Sequence, residues 1–233
     1  MMSAQTRSTL RLRETPKLSQ YAGRSKPRPY QSVYIVTNLE RLHIKENEMR
    51  KMIVFNNVTL DGYYTGLDGD MSWAHKYDPE WMEFTNENAK GGNAVLGFGR
   101  ITYDMMAGYW PTPMATQNMP TVAEAMNKQP KVVFSRTMNE AKWNNTRLIS
   151  GDLATEARKL KEESGDDIVI MGSGNLISQL AKLKMIDEYQ IALTPVVIGK
   201  GKSMFDGVNK TNLKLTKSRA FGNGTVVLWY EPA

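Results

Sequence analysis

Ile168-Val169-Ile170-Met171-Gly172-Ser173-Gly174-Asn175-Leu176 reads as a short apolar strand, a Gly-x-Gly turn and the start of a helix. The same plan stands about seventy residues earlier, in Ala94-Val95-Leu96-Gly97-Phe98-Gly99-Arg100-Ile101-Thr102-Tyr103. Between them, Lys131-Val132-Val133-Phe134-Ser135-Arg136-Thr137 is a strand that ends in a hydroxyl and a guanidinium. A helix start offers unpaired N–H groups and a partial positive charge, and glycine lets a phosphate come close to them. Two such turns at one edge of a sheet can hold a pyrophosphate from both sides. A Ser-Arg pair on the strand between them can take one more phosphate, such as the 2′-phosphate of NADP. One strand–Gly–helix turn alone is ordinary connection chemistry; the order of all three carries the information.

Outward from these blocks the chain alternates strands and helices. Strands are predicted at 52–59, 93–98, 131–135, 146–149, 167–171 and 187–194, and helices at about 79–89, 100–107, 153–163 and 174–183. Asp78 suits a helix cap and Pro79 a first turn, and Gly91-Gly92 stops that helix. Residues 108–130 read as a long connection with a short helix near Val122–Asn127. Two last strands, near 212–220 and 224–231, flank the hairpin turn Phe221-Gly222-Asn223-Gly224. This pattern predicts an α/β domain over 49–233, with a mainly parallel central sheet flanked by helices and an antiparallel C-terminal hairpin.

The composition excludes several chemistries. There are no cysteines, hence no disulfide, no thiol nucleophile and no Cys-based zinc site, and the two histidines, His43 and His75, are too few for a His-rich metal site. No apolar run is long enough to span a membrane. The net charge is +6, but residues 1–48 hold nine Lys/Arg against four Asp/Glu, and 49–233 hold twenty-one against twenty. The basic character therefore belongs to the first 48 residues, and the nearly neutral body argues against nucleic acid as a partner. Three readings of residues 1–48 are open: a disordered basic tail, an organelle transit peptide, or sequence upstream of a true start at Met49 or Met52.

The three blocks do not stand alone. Thr59-Leu60-Asp61-Gly62 follows the first strand, and Ile186-Asp187-Glu188 leads to Thr194-Pro195-Val196-Val197-Ile198-Gly199-Lys200-Gly201. In this order the five blocks resemble the dihydrofolate reductase superfamily. They are most similar to the reductase (C-terminal) domain of the bifunctional riboflavin-pathway deaminase–reductase and its stand-alone relatives. The resemblance runs from about Met52 to Tyr230. The deaminase half of such enzymes needs a zinc site with cysteines, so this chain cannot carry that activity.

The resemblance implies NADPH-dependent reduction of a small pyrimidine- or pteridine-like ring, with the aminouracil reductase step of riboflavin synthesis as one candidate. It implies cofactor phosphate contacts from Gly99, Arg100 and Thr102 at one helix start, and from Gly172, Ser173, Gly174, Asn175 and Leu176 at the other. Ser135 and Arg136 are implied to grip the 2′-phosphate. Asp61 has two readings. Leu-Asp-Gly is a turn sequence in its own right, and the resemblance places it beside the nicotinamide as a candidate catalytic acid or relay. Glu83 and Glu87, spaced i, i+4, form either a solvated helix face or an acid for the substrate; Glu87 is carried as a candidate with Tyr64 and Trp73. Tyr63, Trp81 and Phe84 extend this aromatic group. Lys76, Lys90, Lys200 and Lys202 are the available donors for a substrate phosphate. The resemblance also implies a cytoplasmic homodimer with an interface on strand 187–194 and the C-terminal hairpin. A non-catalytic nucleotide-binding protein on the same fold is the competing class.

Overall fold

The structure is a computed structural model and describes residues 49–74 and 78–233. The basic segment 1–48, with His43, and the loop residues His75 and Lys76 lie outside the described residues. Residues Glu48–Ala233 form one compact unit.

The first strand, β1 (Met52–Thr59), is apolar on two faces. Met52, Val54 and Val58 join one hydrophobic cluster, while Phe55 joins another on the opposite side. A strand of this kind needs cover above and below, which is the condition for a buried parallel sheet. A short β2 (Tyr63–Thr65) and the helix α1 (Pro79–Gly91) follow. Next come β3 (Val95–Gly99) and α2 (Arg100–Tyr109). The connection predicted to hold one short helix holds two, α3 (Pro113–Asn118) and α4 (Pro120–Lys128). Each begins with proline in its first turn, where the missing N–H costs nothing. The chain continues through β4 (Lys131–Phe134), β5 (Thr146–Ile149), α5 (Leu153–Glu162), β6 (Ile168–Ile170), α6 (Gly174–Lys182) and β7 (Glu188–Thr194). It ends with β8 (Lys202–Ser203), β9 (Leu213–Ala220) and β10 (Val226–Pro232).

The main sheet has eight strands in the order β5-β4-β3-β6-β1-β7-β10-β9. Strands β1 and β3 to β7 run parallel. Only the closing hairpin, β10 between β7 and β9, is antiparallel. The expected architecture is therefore present. The two-stranded β2–β8 ribbon is an addition that its short segments did not announce.

The strand order explains where the layers lie. From β1 through β3 and β4 to β5 the chain moves one way along the sheet; from β5 through β6 to β7 it moves back. Right-handed crossovers put helices from opposite directions of travel on opposite faces. Accordingly, Ala157 and Leu160 of α5 and Leu176, Ile177 and Leu180 of α6 share one core with Met52, Val54, Ile168 and Ile170. Tyr103 of α2 and Met126 of α4 share another with Phe98, Val133 and Trp143. The neighbouring strands β3 and β6 thus send their helices to opposite faces. Their C-terminal ends flank the switch point of the sheet, where a crevice opens.

Candidate active site

Two helices start on either side of this crevice, and neither has a side-chain cap. The cap positions are Gly99 for α2 and Ser173 for α6, and both lack a side-chain hydrogen bond to the first turn. By contrast, Asp78, Thr112 and Asp152 cap α1, α3 and α5; α4, which follows Met119, also has no side-chain cap but does not line this crevice. The free N–H groups of α2 and α6 are therefore left for a ligand or water.

The two turns are tied together. The Gly99 N–H donates to the Gly172 carbonyl at 3.0 Å. A Cβ on Gly99 would meet the Ser173 hydroxyl at 2.7 Å, so glycine is required for this approach. Gly172 has φ of +112° and lies against Thr102, whose hydroxyl would be 3.2 Å from an added Cβ. A Cβ on Gly174 would fall into the ring of Tyr64. Tyr64 thus packs directly against the first residue of α6, and burial raises its phenol above the ordinary value.

One cleft of about 330 Å³ runs from this crevice across the ends of β4 and β5. Gly99, Arg100, Ser135, Arg136, Ser173, Asn175 and Leu176, predicted from three separate segments, all line it. The Ser135 hydroxyl oxygen accepts the N–H groups of Thr137 at 3.2 Å and Met138 at 3.1 Å. It also shares a 3.4 Å hydrogen bond with the Thr137 hydroxyl, in which either oxygen can donate. Arg136 is exposed, and among the described residues no carboxylate stands within salt-bridge distance of it. Arg100 lines the cleft while pairing with Asp104 one turn along its own helix, at 3.4 Å. Asn175 accepts from Gln179 at 2.8 Å.

The cleft has a wall that sequence reasoning missed: Gly151, Asp152 and Leu153, between β5 and α5. The Thr155 N–H and hydroxyl hold the Asp152 carboxylate below its usual range, and the Arg136 guanidinium adds to this. The available signal was Ser150-Gly151-Asp152 between a predicted strand and a predicted helix, the same connection chemistry at the same sheet edge.

The remaining candidates lie elsewhere. Asp61 follows β1, and its carboxylate accepts the N–H groups of Gly199 at 2.8 Å and Ile198 at 3.2 Å. The Thr59 hydroxyl, then these two N–H groups, hold it below the usual carboxylate range. In that state Asp61 has no proton to give at neutral pH and serves to lock the turn after β1 onto the loop after β7. Trp73 is buried in a smaller cleft with Asp68, Asp70, Ile198 and Lys200, outside the phosphate crevice. Glu87 is exposed on α1 and stands 3.9 Å from Arg219 of β9. That strand is four places from β6, roughly 19 Å at about 4.8 Å per strand. The structure does not bring Glu87 to the crevice, because the face of α1 carrying it turns toward the hairpin. Trp81 and Phe84 do not line the crevice either; they pack with Phe221 in a core shared with Trp229.

The residues present fit a dinucleotide carrying an additional phosphate: two uncapped helix starts, glycines that admit close approach, and an unpaired arginine beside a hydroxyl donor. Among the described residues no group of acids and histidines could hold a metal, and no helix is long and apolar enough to cross a membrane. Comparison with known proteins gives the family and the fold. YyaP, an uncharacterized protein of Bacillus subtilis (strain 168), is 32% identical over 186 residues, covering 78% of this chain and 95% of YyaP. The crystal structure of a protein ascribed to riboflavin biosynthesis from Shewanella sp. PV-4 superposes with a TM-score of 0.60 at 22% identity, covering 78% of this chain and 99% of that one. The deaminase/5-amino-6-(5-phosphoribosylamino)uracil reductase of Thermotoga maritima superposes with a TM-score of 0.55 at 14% identity, covering 86% of this chain and 60% of its own. At these identities the two structures establish the shared fold. The family model of the RibD C-terminal domain matches residues 50–227. The chain therefore belongs to the RibD C-terminal domain family, a group of oxidoreductase domains with the dihydrofolate reductase-like fold.

Proposed function

We propose that the protein is an NADPH-dependent reductase of a small heteroaromatic ring. The observation that supports this most is the single cleft shared by Ser135, Arg136 and the two uncapped helix starts. The first N–H groups of α2 and α6 hold the pyrophosphate, with Thr102 packed beneath the Gly172 turn. Arg136 and the Ser135 hydroxyl hold the 2′-phosphate, a contact that NADH cannot make. Arg100 adds a cation at the near lip.

Ser135 and Arg136 at the end of β4 would hold the 2′-phosphate and the starts of α2 and α6 the pyrophosphate, leaving the residues after β1 to the ring end of the cofactor. There Asp61 and Tyr64 define the turn and the wall. NADPH supplies a hydride to a ring carbon and leaves as NADP⁺, while the neighbouring nitrogen or oxygen takes a proton. Asp61 acts as a positioning residue: its ionised carboxylate fixes the turn after β1, and the proton comes from another group or from water. We further propose a homodimer in which a second copy covers Leu213, Leu215 and Phe205, exposed on one face of the C-terminal hairpin and its neighbouring loop. Light scattering that gives a monomer mass removes that part.

The central test is a paired titration with NADPH and NADH, read by tryptophan quenching. NADPH is expected to bind at least tenfold more tightly, about 1.4 kcal/mol. The preference is expected to vanish in Arg136→Ala, with NADH binding unchanged. Equal binding of both nucleotides by the unaltered protein would remove the assignment of the 2′-phosphate site.

A further inference from the structure

The cleft between the two uncapped helix starts is also bordered by a third helix start, and that one is closed by an acid. Strands β4 and β5 run side by side with Phe134 opposite Ile149, and the Ser135 N–H donates to the Ile149 carbonyl at 2.9 Å. Arg136 lies two residues beyond Phe134, and Asp152 three beyond Ile149. Both side chains are exposed and both line the cleft. Among the described residues of that lining, Asp152 is the single acid, against Arg100 and Arg136.

The carboxylate of Asp152 faces two ways. Its Oδ1 accepts the Thr155 N–H at 3.0 Å and the Thr155 hydroxyl at 2.8 Å, which closes the first turn of α5. Among the described residues no such bond holds Oδ2. The group is ionised at neutral pH, since Thr155 and then Arg136 hold it below the usual carboxylate range. The neighbouring acid, Glu156, lies over Gly151 and is matched by Lys159 at 2.9 Å. Among the described residues no cation stands within salt-bridge distance of Asp152.

A serine or threonine would cap the same N–H without charge. Aspartate at this place sets a negative charge close to the arginine assigned above to the 2′-phosphate. Such a charge repels a phosphate dianion. A carboxylate beside a ribose accepts its hydroxyl instead, which favours a dinucleotide lacking that phosphate. The cleft therefore holds two opposed discriminators on adjacent strand ends.

We propose that Asp152 is a specificity-determining residue of the dinucleotide cleft, whose carboxylate opposes the 2′-phosphate of NADPH and accepts a ribose hydroxyl of NADH. The preference for NADPH is thereby held below what Arg136 and Ser135 would give alone. This rests on the reductase reading above.

The test titrates the full chain with NADPH and with NADH by calorimetry, at low and high salt, in the unaltered protein and in two variants. Asp152→Asn and Asp152→Ser both keep an oxygen for the Thr155 N–H and remove the charge; the serine variant guards against a contact made only by the new amide. In both, NADPH is expected to bind about fivefold more tightly at low salt, the order of one exposed charge partly offset by the start of α5. NADH is expected to bind no more tightly than before. The gain for NADPH should shrink at high salt, as it does for exposed charges. An unchanged ratio of the two affinities in both variants would overturn the proposal. So would an equal gain for both nucleotides, or a gain confined to Asp152→Asn. Arg136→Ala separates this from the reading beneath it. If that variant loses the NADPH preference while the Asp152 variants leave the ratio unchanged, only the assignment of Asp152 falls. If it keeps the preference, the 2′-phosphate lies elsewhere and both fall.

Discussion

Lys131 shows how one residue can serve the scaffold under the site. It is 1% exposed, and its ammonium donates to the carbonyls of Met126 at 2.8 Å, Asn127 at 3.3 Å and Gln129 at 2.7 Å. It thereby closes the C-terminal end of α4 and sits 4.5 Å above the Trp143 ring. Lys131→Met leaves those carbonyls unpaired and is expected to cost about 2–4 kcal/mol in urea unfolding. Burial lowers its value from 10.5 to about 8. Between those two values the unfolded chain binds the extra proton, so stability rises with pH across that interval. The gap between the unaltered protein and Lys131→Met should therefore widen from pH 8 to pH 10.5; a constant gap would show that the three carbonyls hold the ammonium charged throughout. Asp61 gives a slope of the same sign in a more acid window, because its folded value is lowered too. Its contribution is complete above the ordinary value of 3.8 and is lost only as pH falls through its lower folded value.

Among the elements, the helix starts carry the proposed function, and their tolerance is narrow. Gly174→Ala would drive a methyl group into the Tyr64 ring. The expected result is a loss of about 1–3 kcal/mol from overpacking and NADPH binding weakened by about tenfold. Adding Tyr64→Ala should recover much of the stability, which denaturant unfolding of the single and double variants will show. The two glycine turns and the Ser-Arg strand end that line the cleft were legible in the sequence because the three segments lie in one order, two with glycine after an apolar run and one ending in a hydroxyl and a guanidinium. The β5–α5 wall was not, since Ser150-Gly151-Asp152 resembles any connection until the sheet order places it beside β4. The helix α3 was not foreseen, and α4 was foreseen only over 122–127, because Pro113 and Pro120 read as loop residues, while at a first turn they are starters. Glu87 shows the limit of spacing arguments. An i, i+4 pair identifies a helix face, but only tertiary packing says what that face meets.

At the scale of the whole molecule, the far edge of the sheet is secured by a pair that the site does not use. The Lys161 ammonium of α5 meets both oxygens of Asp187, at 2.8 and 2.6 Å, and Asp187 also accepts the Met52 N–H at 2.7 Å. One carboxylate thus joins α5, the start of β1 and the start of β7. Asp187→Ala strands a mostly buried ammonium and a backbone donor, and is expected to cost about 2–4 kcal/mol. Lys161→Met together with Asp187→Leu should cost less than the sum of the single changes, which a double-mutant cycle in urea would measure. Additive losses would mean that the two side chains do not act as a unit.

The reversal of chain direction at β3 and β6 also bears on how such a protein can change over time. Under the proposed function the nucleotide is held by the ends of β4 and β5 and the starts of α2 and α6, and α1 and α4 stand apart from it. Substitutions in α1 and α4 would then leave that hold intact. A lineage built on this plan could vary those two helices one side chain at a time without losing the nucleotide.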